Sequence, residues 1–467
     1  MSSSDSGRPD PQRRARFETF EERLAFSGQA LDSFALDPLE SPELLMQVEQ
    51  LEIPAEVAPV VQQGGLESLV YGLTNRHGLT GAGQTVAVID SGIAWDHVAL
   101  GGGYGSNHRV VGGWDFAEND SNPYDDGPAG FHGTHVAGII GSSNSTYQGV
   151  APGADLVALR VFDDQGRGQL AWVEQALQWV YDHRGSFENP ITTVNLSIGT
   201  SWNSTSVPNW ATLEDEFQRL EQAGIFVSVA AGNSFQSYQS VGLSYPAASP
   251  FVVPVASHGA SGQLSSFSQR APNVLVAPGE SIMSTVPEHL WGSSAQSTRF
   301  LAASGTSMAA PYVAGASMLV RQAMETLGYQ EIDQDLIYDH FRSTADIIRD
   351  TVTNADYYRI NLQRALDSLF SDDFGDTVGD RHELGTLSDT RSVSGFINDA
   401  SDVDVFGFTA GGTGRVTLHL EHGSGVAPRI AIPGVATTVS GNSISFDVVS
   451  GQSYSIVVDS TAGVGAY

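Results

Sequence analysis

From Thr80 onward the chain alternates two textures, and this alternation restricts its possible folds more than any other feature. Short apolar runs, "TVAVID" (Thr85–Asp90), "DLVALRVF", "ITTVNLSIG", "IFVSVAAGN" and "FVVPVAS", have the composition of buried strands. Amphipathic helical runs separate them. "LAWVEQALQWVYDH" places Leu170, Val173, Leu177 and Val180 on one face, and "LEDEFQRLEQAG" does the same with Leu213, Phe217 and Leu220 before Gly224 stops it. Strand and helix in alternation predict an α/β fold, a parallel sheet with helices on both faces. Such sheets bind ligands beyond the carboxyl ends of their strands, so strand ends are where chemistry is sought.

Three polar residues stand at strand or loop ends where a buried sheet has no need of them. Asp90 ends "TVAVID", His132 opens "HGTHVAGII", and Ser307 opens the helical run within "ASGTSMAAPYVAG". Taken singly, each has a plain structural reading: Asp90 an Asx turn before Gly92, and Ser307 a helix cap. Taken together, an aspartate, a histidine and a serine are what nucleophilic acyl transfer requires. Their order, Asp then His then Ser, is one of the known orders of such a triad. His135, three residues after His132, has no third metal ligand in view and is expected to be structural.

The segments "DSG", "HGTH", "AAGNS" and "GTSMAAP", in this order and spacing, resemble the subtilisin-like serine protease (subtilase) family over about residues 80–370. The resemblance implies a serine endopeptidase acting on protein or peptide through an acyl-enzyme. In that scheme Ser307 is nucleophile, His132 base and then acid, Asp90 the orienting carboxylate, and Asn233 an oxyanion donor. It implies two small, apolar pocket walls, Ser197-Ile198-Gly199 and Ala230-Ala231-Gly232, hence an apolar side chain before the cut bond. Gly166-Arg167-Gly168 matches the family's edge segment that pairs with substrate, and Arg167 adds an expectation of an acidic side chain there. Ser244 falls where many members have glycine at the pocket floor, which predicts a shallower pocket.

No cofactor is implied for the chemistry, and structural calcium is the one metal considered. The acidic loop "WDFAENDSNPYDDGPAG" resembles a calcium loop of some members at Asp115, Asp120 and Asn122, and equally reads as a solvated turn. Phe131 departs from the glycine usual before the histidine and is expected to crowd the pocket beside it. That departure supports a second reading, a non-hydrolytic adhesion or carbohydrate-binding protein on a degenerate protease scaffold.

Three regions follow from the texture: an N-terminal extension or pro-segment (1–65), a subtilisin-like peptidase domain (66–370), and a C-terminal β-sandwich (372–467). The last begins after the acidic, Gly-rich "SDDFGDTVGDRHELG". Its short strands with turn signals predict an antiparallel sandwich, and "ASDVDVFGFTA" and "GQSYSIVVDSTAGVGAY" resemble the bacterial pre-peptidase C-terminal domain. With 53 acidic residues against 22 basic, all arginine, the net charge of −31 argues against nucleic acid and anionic membrane as partners. A monomer is expected. No cysteine is present, so thiol chemistry and disulfides are excluded. The resemblance implies a secreted enzyme. Arg13-Arg14 is not followed by the apolar stretch of an export signal, and a cytoplasmic location stays open beside it.

Overall fold

The computed structural model describes residues 44–45, 77–127, 130–291, 296–370, 372–398, 401–422, 426–463 and 465–467. The expected extension or pro-segment lies outside these except at Leu44–Leu45, whose backbone pairs antiparallel with Gly199–Thr200. The chain forms two compact units. The first holds 81–318 and 333–361. The second gathers 319–332 and 362–467 together with the segment up to Thr80.

In chain order the first unit runs β1 (Thr85–Asp90), β2 (Val110–Asp115), α1 (His132–Gly141), β3 (Asp155–Arg160), α2 (Leu170–His183), β4 (Ile191–Leu196), α3 (Glu214–Gln222) and β5 (Phe226–Ala230). It continues through β6 (Val253–His258), β7 (Leu275–Pro278), β8 (Ile282–Val286), β9 (Arg299–Ala303), the start of α4 (Thr306–Thr326), α5 (Gln334–Thr344), β10 (Asp346–Asp350) and β11 (Ala355–Arg359). Nine strands form one sheet in the order β10-β11-β7-β6-β5-β4-β1-β3-β2. Every neighbouring pair is parallel except the hairpin β10–β11.

The apolar runs become strands because both sheet faces are covered, the usual setting of a parallel sheet. All six residues of β1 are buried. Ala87 and Ile89 pack into a core with Val173, Leu177 and Val180 of α2 and Phe217 and Leu220 of α3. Val86 and Val88, on the opposite face by the two-residue period, are equally buried. The α3 run ends as expected, with Gly224 at φ +72°.

Strand order reverses at β1. The chain first places β3 and β2 on one side of it, then β4 on the other. The crevice beyond the carboxyl ends of β1 and β4 is therefore the topological switch point, where sheets of this kind hold ligands. The antiparallel hairpin β8–β9 was not expected from the alternation; it packs on α1.

From residue 362 on, the second unit runs through α6 (Leu362–Leu369). It continues with β12 (His382–Leu387), β13 (Val403–Ala410), β14 (Gly414–His419), β15 (Val426–Ala431), β16 (Thr438–Ser440), β17 (Ser443–Val448) and β18 (Ser453–Gly463). Two larger sheets result, β12-β13-β18-β15 and β14-β17-β16, beside a two-stranded pair of Phe396–Ile397 with Gly465–Ala466. Pairing is antiparallel except for β12 against β13, which are parallel. Phe406, Phe408, Ile456 and Val458 of one sheet share a core with Ile444, Phe446 and Val448 of the other. A small β-sandwich is the architecture foreseen.

Candidate active site

Asp90 is the last residue of β1 and is fully buried. Its Oδ1 accepts from the Ser91 backbone N–H at 2.7 Å and lies 2.7 Å from His132 Nδ1. A carboxylate only accepts, so Nδ1 carries the proton and Nε2 is left as the basic nitrogen. Burial opposes a charge on His132, but the Asp90 charge, the hydrogen bond to Asp90 and the more distant Asp125 charge outweigh it. The imidazole therefore titrates above its ordinary value.

His132 is also the first residue of α1, and the preceding Phe131 offers no side-chain cap. The orphan N–H groups find acceptors elsewhere. Ser91 Oγ accepts from Gly133 N at 2.9 Å, and Asp125 Oδ2 accepts from Thr134 N at 3.0 Å and from the Thr134 hydroxyl. Ser91 in turn donates to Asp125 Oδ1 at 2.8 Å. A buried carboxylate from the acidic loop thus caps the helix that carries the histidine. Burial is the main cause pushing Asp125 up to about 7, and the Asp90 charge adds to it. Gly133 is required by close approach: a Cβ there would meet the Gly92 carbonyl oxygen at 2.2 Å.

Ser307 lies one residue inside the N-terminus of α4 and is 2% exposed. Pro311 explains much of its setting. Having no N–H, Pro311 cannot bond the carbonyl four residues back, which is that of Ser307. That carbonyl instead accepts from Ser197 Oγ at 2.8 Å. Ser307 Oγ donates in return to the Ser197 carbonyl at 3.2 Å, long for a hydroxyl donor. Asn195 Nδ2 donates to Ser197 Oγ at 2.9 Å. The Ser307 hydroxyl is therefore turned to Ser197, and His132 Nε2 is buried with no hydrogen-bond partner.

The two halves meet through the sheet. Ile89 of β1 is in register with Leu196 of β4, so Asp90 and Ser197 follow a paired position on neighbouring strands. Such strands lie about 4.8 Å apart. One bonds His132 and the other bonds Ser307.

Thr306 ties the helix start to the second wall. Its Oγ1 accepts from Gly232 N at 3.1 Å, and its N–H and hydroxyl both donate to Asn233 Oδ1 at 2.9 Å. Two donors on Oδ1 fix the amide orientation, so the Nδ2 end faces away from Thr306. A small pocket is lined by Ser197, Ile198, Gly199, Ala230, Gly232, Asn233 and Ser307, with Thr306 and Ser244. The expected wall residue Ala231 is buried behind it, its N–H donating to Val255 O and its carbonyl accepting from Ser244 N, both at 2.9 Å. Ser244 is 1% exposed, and its Oγ has no hydrogen-bond partner. A Cβ on Gly199 would meet that Oγ at 2.7 Å, so the hydroxyl fills space between the walls.

Other expected residues sit apart from this pocket. Gly166-Arg167-Gly168 lie on the returning arm of a turn that starts at Asp163, after β3, with Gly168 bridging Phe162. Arg167 is exposed and pairs with Asp163 at 2.6 Å. Asp115 accepts from Ala117 N and Glu118 N, and its other oxygen lies 3.3 Å from Arg160 Nε. Asp120 accepts from Asn122 N at 2.8 Å. A guanidinium supplies positive charge in this loop and its own amides satisfy Asp115 Oδ1, while Asp115 Oδ2 is buried with no hydrogen-bond partner. Phe131 is buried with Val286 and Leu301, and its ring stands edge-on to the His132 ring, with centroids 6.3 Å apart. His135 Nε2 bonds the Leu301 carbonyl at 2.9 Å, on β9 rather than within its own helix, and burial pushes the ring down to about 4.

Sequence reasoning missed Asp125, which lies in a stretch read as solvated. The signal was available: a helix beginning at His132 behind a phenylalanine needs an acceptor from another segment.

The sequence profile of the subtilase family matches residues 81–373. The chain belongs to the subtilase family. Subtilisin E of Bacillus subtilis (strain 168) is 33% identical over 341 residues, 72% of this chain and 79% of the relative. A thermostable alkaline protease of Halalkalibacterium halodurans is 35% identical over 263 residues, 56% of this chain and 63% of the relative. A solved structure of proteases from Pseudoalteromonas arctica shares the fold with TM-score 0.52 and 25% identity, covering 67% of this chain and 96% of that one. This subtilase is a serine endopeptidase acting on protein or peptide, and subtilase chemistry needs no cofactor. No helix among the described residues is long and apolar enough to cross a membrane.

Proposed function

We propose that this subtilase cuts peptide bonds through an acyl-enzyme formed on Ser307. The observation that carries the reading is the register of Ile89 with Leu196, which brings the His132–Asp90 pair and the Ser307–Ser197 pair to adjacent strand ends. His132 Nε2 takes the Ser307 proton as Oγ attacks the carbonyl carbon, and Asp90 holds the imidazolium that forms. His132 then gives the proton to the departing amine, and water repeats the sequence on the ester. The long bond from Ser307 to Ser197 is given up when substrate is bound, as catalytic hydrogen bonds commonly tighten only then. Asn233 Nδ2 and the Ser307 N–H at the mouth of α4 donate to the oxyanion.

The small-residue pocket receives an apolar side chain before the cut bond, with Ser244 limiting its depth. Gly166–Gly168 pairs with the substrate as an added strand. The pairing of Leu44–Leu45 with Gly199–Thr200, beside the pocket wall, supports residues 1–65 as a pro-segment that lies where substrate lies. Export of the mature enzyme goes with that reading, and fractionation of native cells with N-terminal sequencing of the active form tests both.

The test of the chemistry is labelling by a fluorophosphonate probe. The label is expected on Ser307, and Ser307→Ala is expected to abolish both labelling and casein cleavage. Casein turnover unchanged in Ser307→Ala would falsify the mechanism. The non-hydrolytic reading drew its support from Phe131, whose ring stands edge-on to that of His132 and leaves the His132–Asp90 bond in place.

A further inference from the structure

The second unit carries a carboxylate cluster that the protease chemistry does not use. Asp402 and Asp404 flank Val403 at the start of β13, in the "SDVDVFGF" stretch. By the two-residue period of a strand, Asp404, Phe406 and Phe408 share one face, and both phenylalanines lie in the sandwich core. A carboxylate has thus been placed on the core side of a sheet. Asp404 is fully buried and Asp402 is 6% exposed.

One oxygen of each is accounted for. Asp404 Oδ2 accepts from the Tyr467 hydroxyl at 2.6 Å, and Asp402 Oδ2 accepts from the Asn398 N–H at 2.6 Å. The other oxygen of each, Oδ1, is buried with no hydrogen-bond partner. Asp372 completes the group, and the ligand atoms of the three lie within 4.8 Å of one another. Asp372 is exposed and stands in the acidic segment leading into the sandwich. The neighbouring Asp376 accepts from Val403 N at 3.3 Å, which holds this segment against the start of β13.

Two buried, unpartnered carboxylate oxygens beside a third carboxylate are costly unless a positive charge joins them. Hard oxygen donors with no nitrogen or sulfur among them select a hard cation, and an irregular set completed by water and exposed acids suits calcium better than the strict octahedron of magnesium.

We propose that Asp372, Asp402 and Asp404 bind a calcium ion. The ion ties the residue-372 segment to the first turn of β13 and so fastens the entry of the sandwich to its core. It has no part in peptide hydrolysis, so the proposal stands or falls apart from the assignment of Ser307.

The test uses the full chain carrying Ser307→Ala to prevent self-digestion, stripped with EDTA and titrated with calcium chloride by calorimetry and thermal unfolding. Calcium is expected to bind and to raise Tm in a concentration-dependent way. Asp372→Asn, an exposed change that keeps the fold, is expected to weaken binding by about tenfold or more, as is Asp402→Asn. Asp120→Ala in the acidic loop is expected to leave the response intact. Binding and Tm response unchanged in both Asp372→Asn and Asp402→Asn overturn the proposal. So do the absence of calcium binding in the stripped parent, loss of the response in Asp120→Ala alone, and an equal response to magnesium at the same concentration.

Discussion

His132 answers to two carboxylates with different duties. Asp90 bonds it directly, whereas Asp125 caps its helix and acts only through charge and position. Because these charges raise the imidazole, its protonated and inactive form persists to higher pH, and the acid limb of kcat/KM is expected above the ordinary histidine value of about 6.5. Asp125, pushed up to about 7, is partly ionised over this range; Asp125→Asn removes that share of negative charge and so favours the neutral ring, which moves the limb to lower pH. A pH profile of kcat/KM checks the sign; a limb that stays in place or rises would show that the Asp125 charge does not reach the ring. Asn233→Ala is expected to lower kcat by about 10²–10³ with little change in KM, a size taken over from subtilisin itself, where the corresponding donor has been removed. Single-residue roles were legible unevenly. Asp90, His132 and Ser307 are flanked by glycines and small residues that announce close backbone approach, as Gly133 against Gly92 bears out. Asp125 sits in the same loop as the exposed Glu118, Asp120 and Asp126, and its burial and its bonds to Ser91 and Thr134 set it apart from them.

At the scale of elements, the start of α4 is held by groups on two other strands. Pro311 frees the Ser307 carbonyl, Ser197 Oγ takes it, and Asn195 steadies Ser197. Ser197→Ala would leave the buried Ser307 carbonyl and the Asn195 amide without this partner, at an expected cost of about 1–3 kcal/mol. Urea unfolding of the Ser307→Ala background with and without the change measures it, and a difference near zero would mean that water replaces the hydroxyl. The pocket between the β4 and β5 ends makes a separate prediction. Ser244→Gly removes the hydroxyl wedged between Gly199 and Gly232, so kcat/KM for phenylalanyl over alanyl substrates is expected to rise about tenfold. An unchanged ratio would place the floor of the pocket elsewhere. Alternation of texture foretold the sheet and helices because each strand is buried on both faces and each helix on one. It could not foretell the hairpin β8–β9, whose residues are only partly apolar, nor the parallel pairing of β12 with β13, which depends on contacts distant in sequence.

For the molecule as a whole, charge is the dominant long-range term. The 53 acidic residues exceed the 22 arginines by 31, so most carboxylates have no cation to pair with even if every arginine is engaged. Arg160 serves more than one of them, Asp126 at 2.7 Å and Asp164 at 2.6 Å, and the excess stays large beside such sharing. Folding concentrates this excess on a compact surface, and the resulting repulsion destabilises the native state relative to the expanded chain. Screening shortens the range of that repulsion, to about 10 Å at 0.1 M salt and about 3 Å at 1 M. Tm of the EDTA-stripped Ser307→Ala protein is therefore expected to rise with sodium chloride between about 0.05 and 1 M, most steeply at the low end, where the Debye length changes most. The same screening weakens the negative field at His132, so the acid limb of the active enzyme is expected to fall as salt is added. The Asp90 contact at 2.7 Å lies well inside any Debye length and keeps part of the shift at all salt concentrations. Parallel measurements separate the two distances. A rising Tm with a fixed limb assigns the histidine shift to its near neighbours alone, whereas a Tm indifferent to salt would show that the surface carboxylates are too dispersed for their repulsion to count.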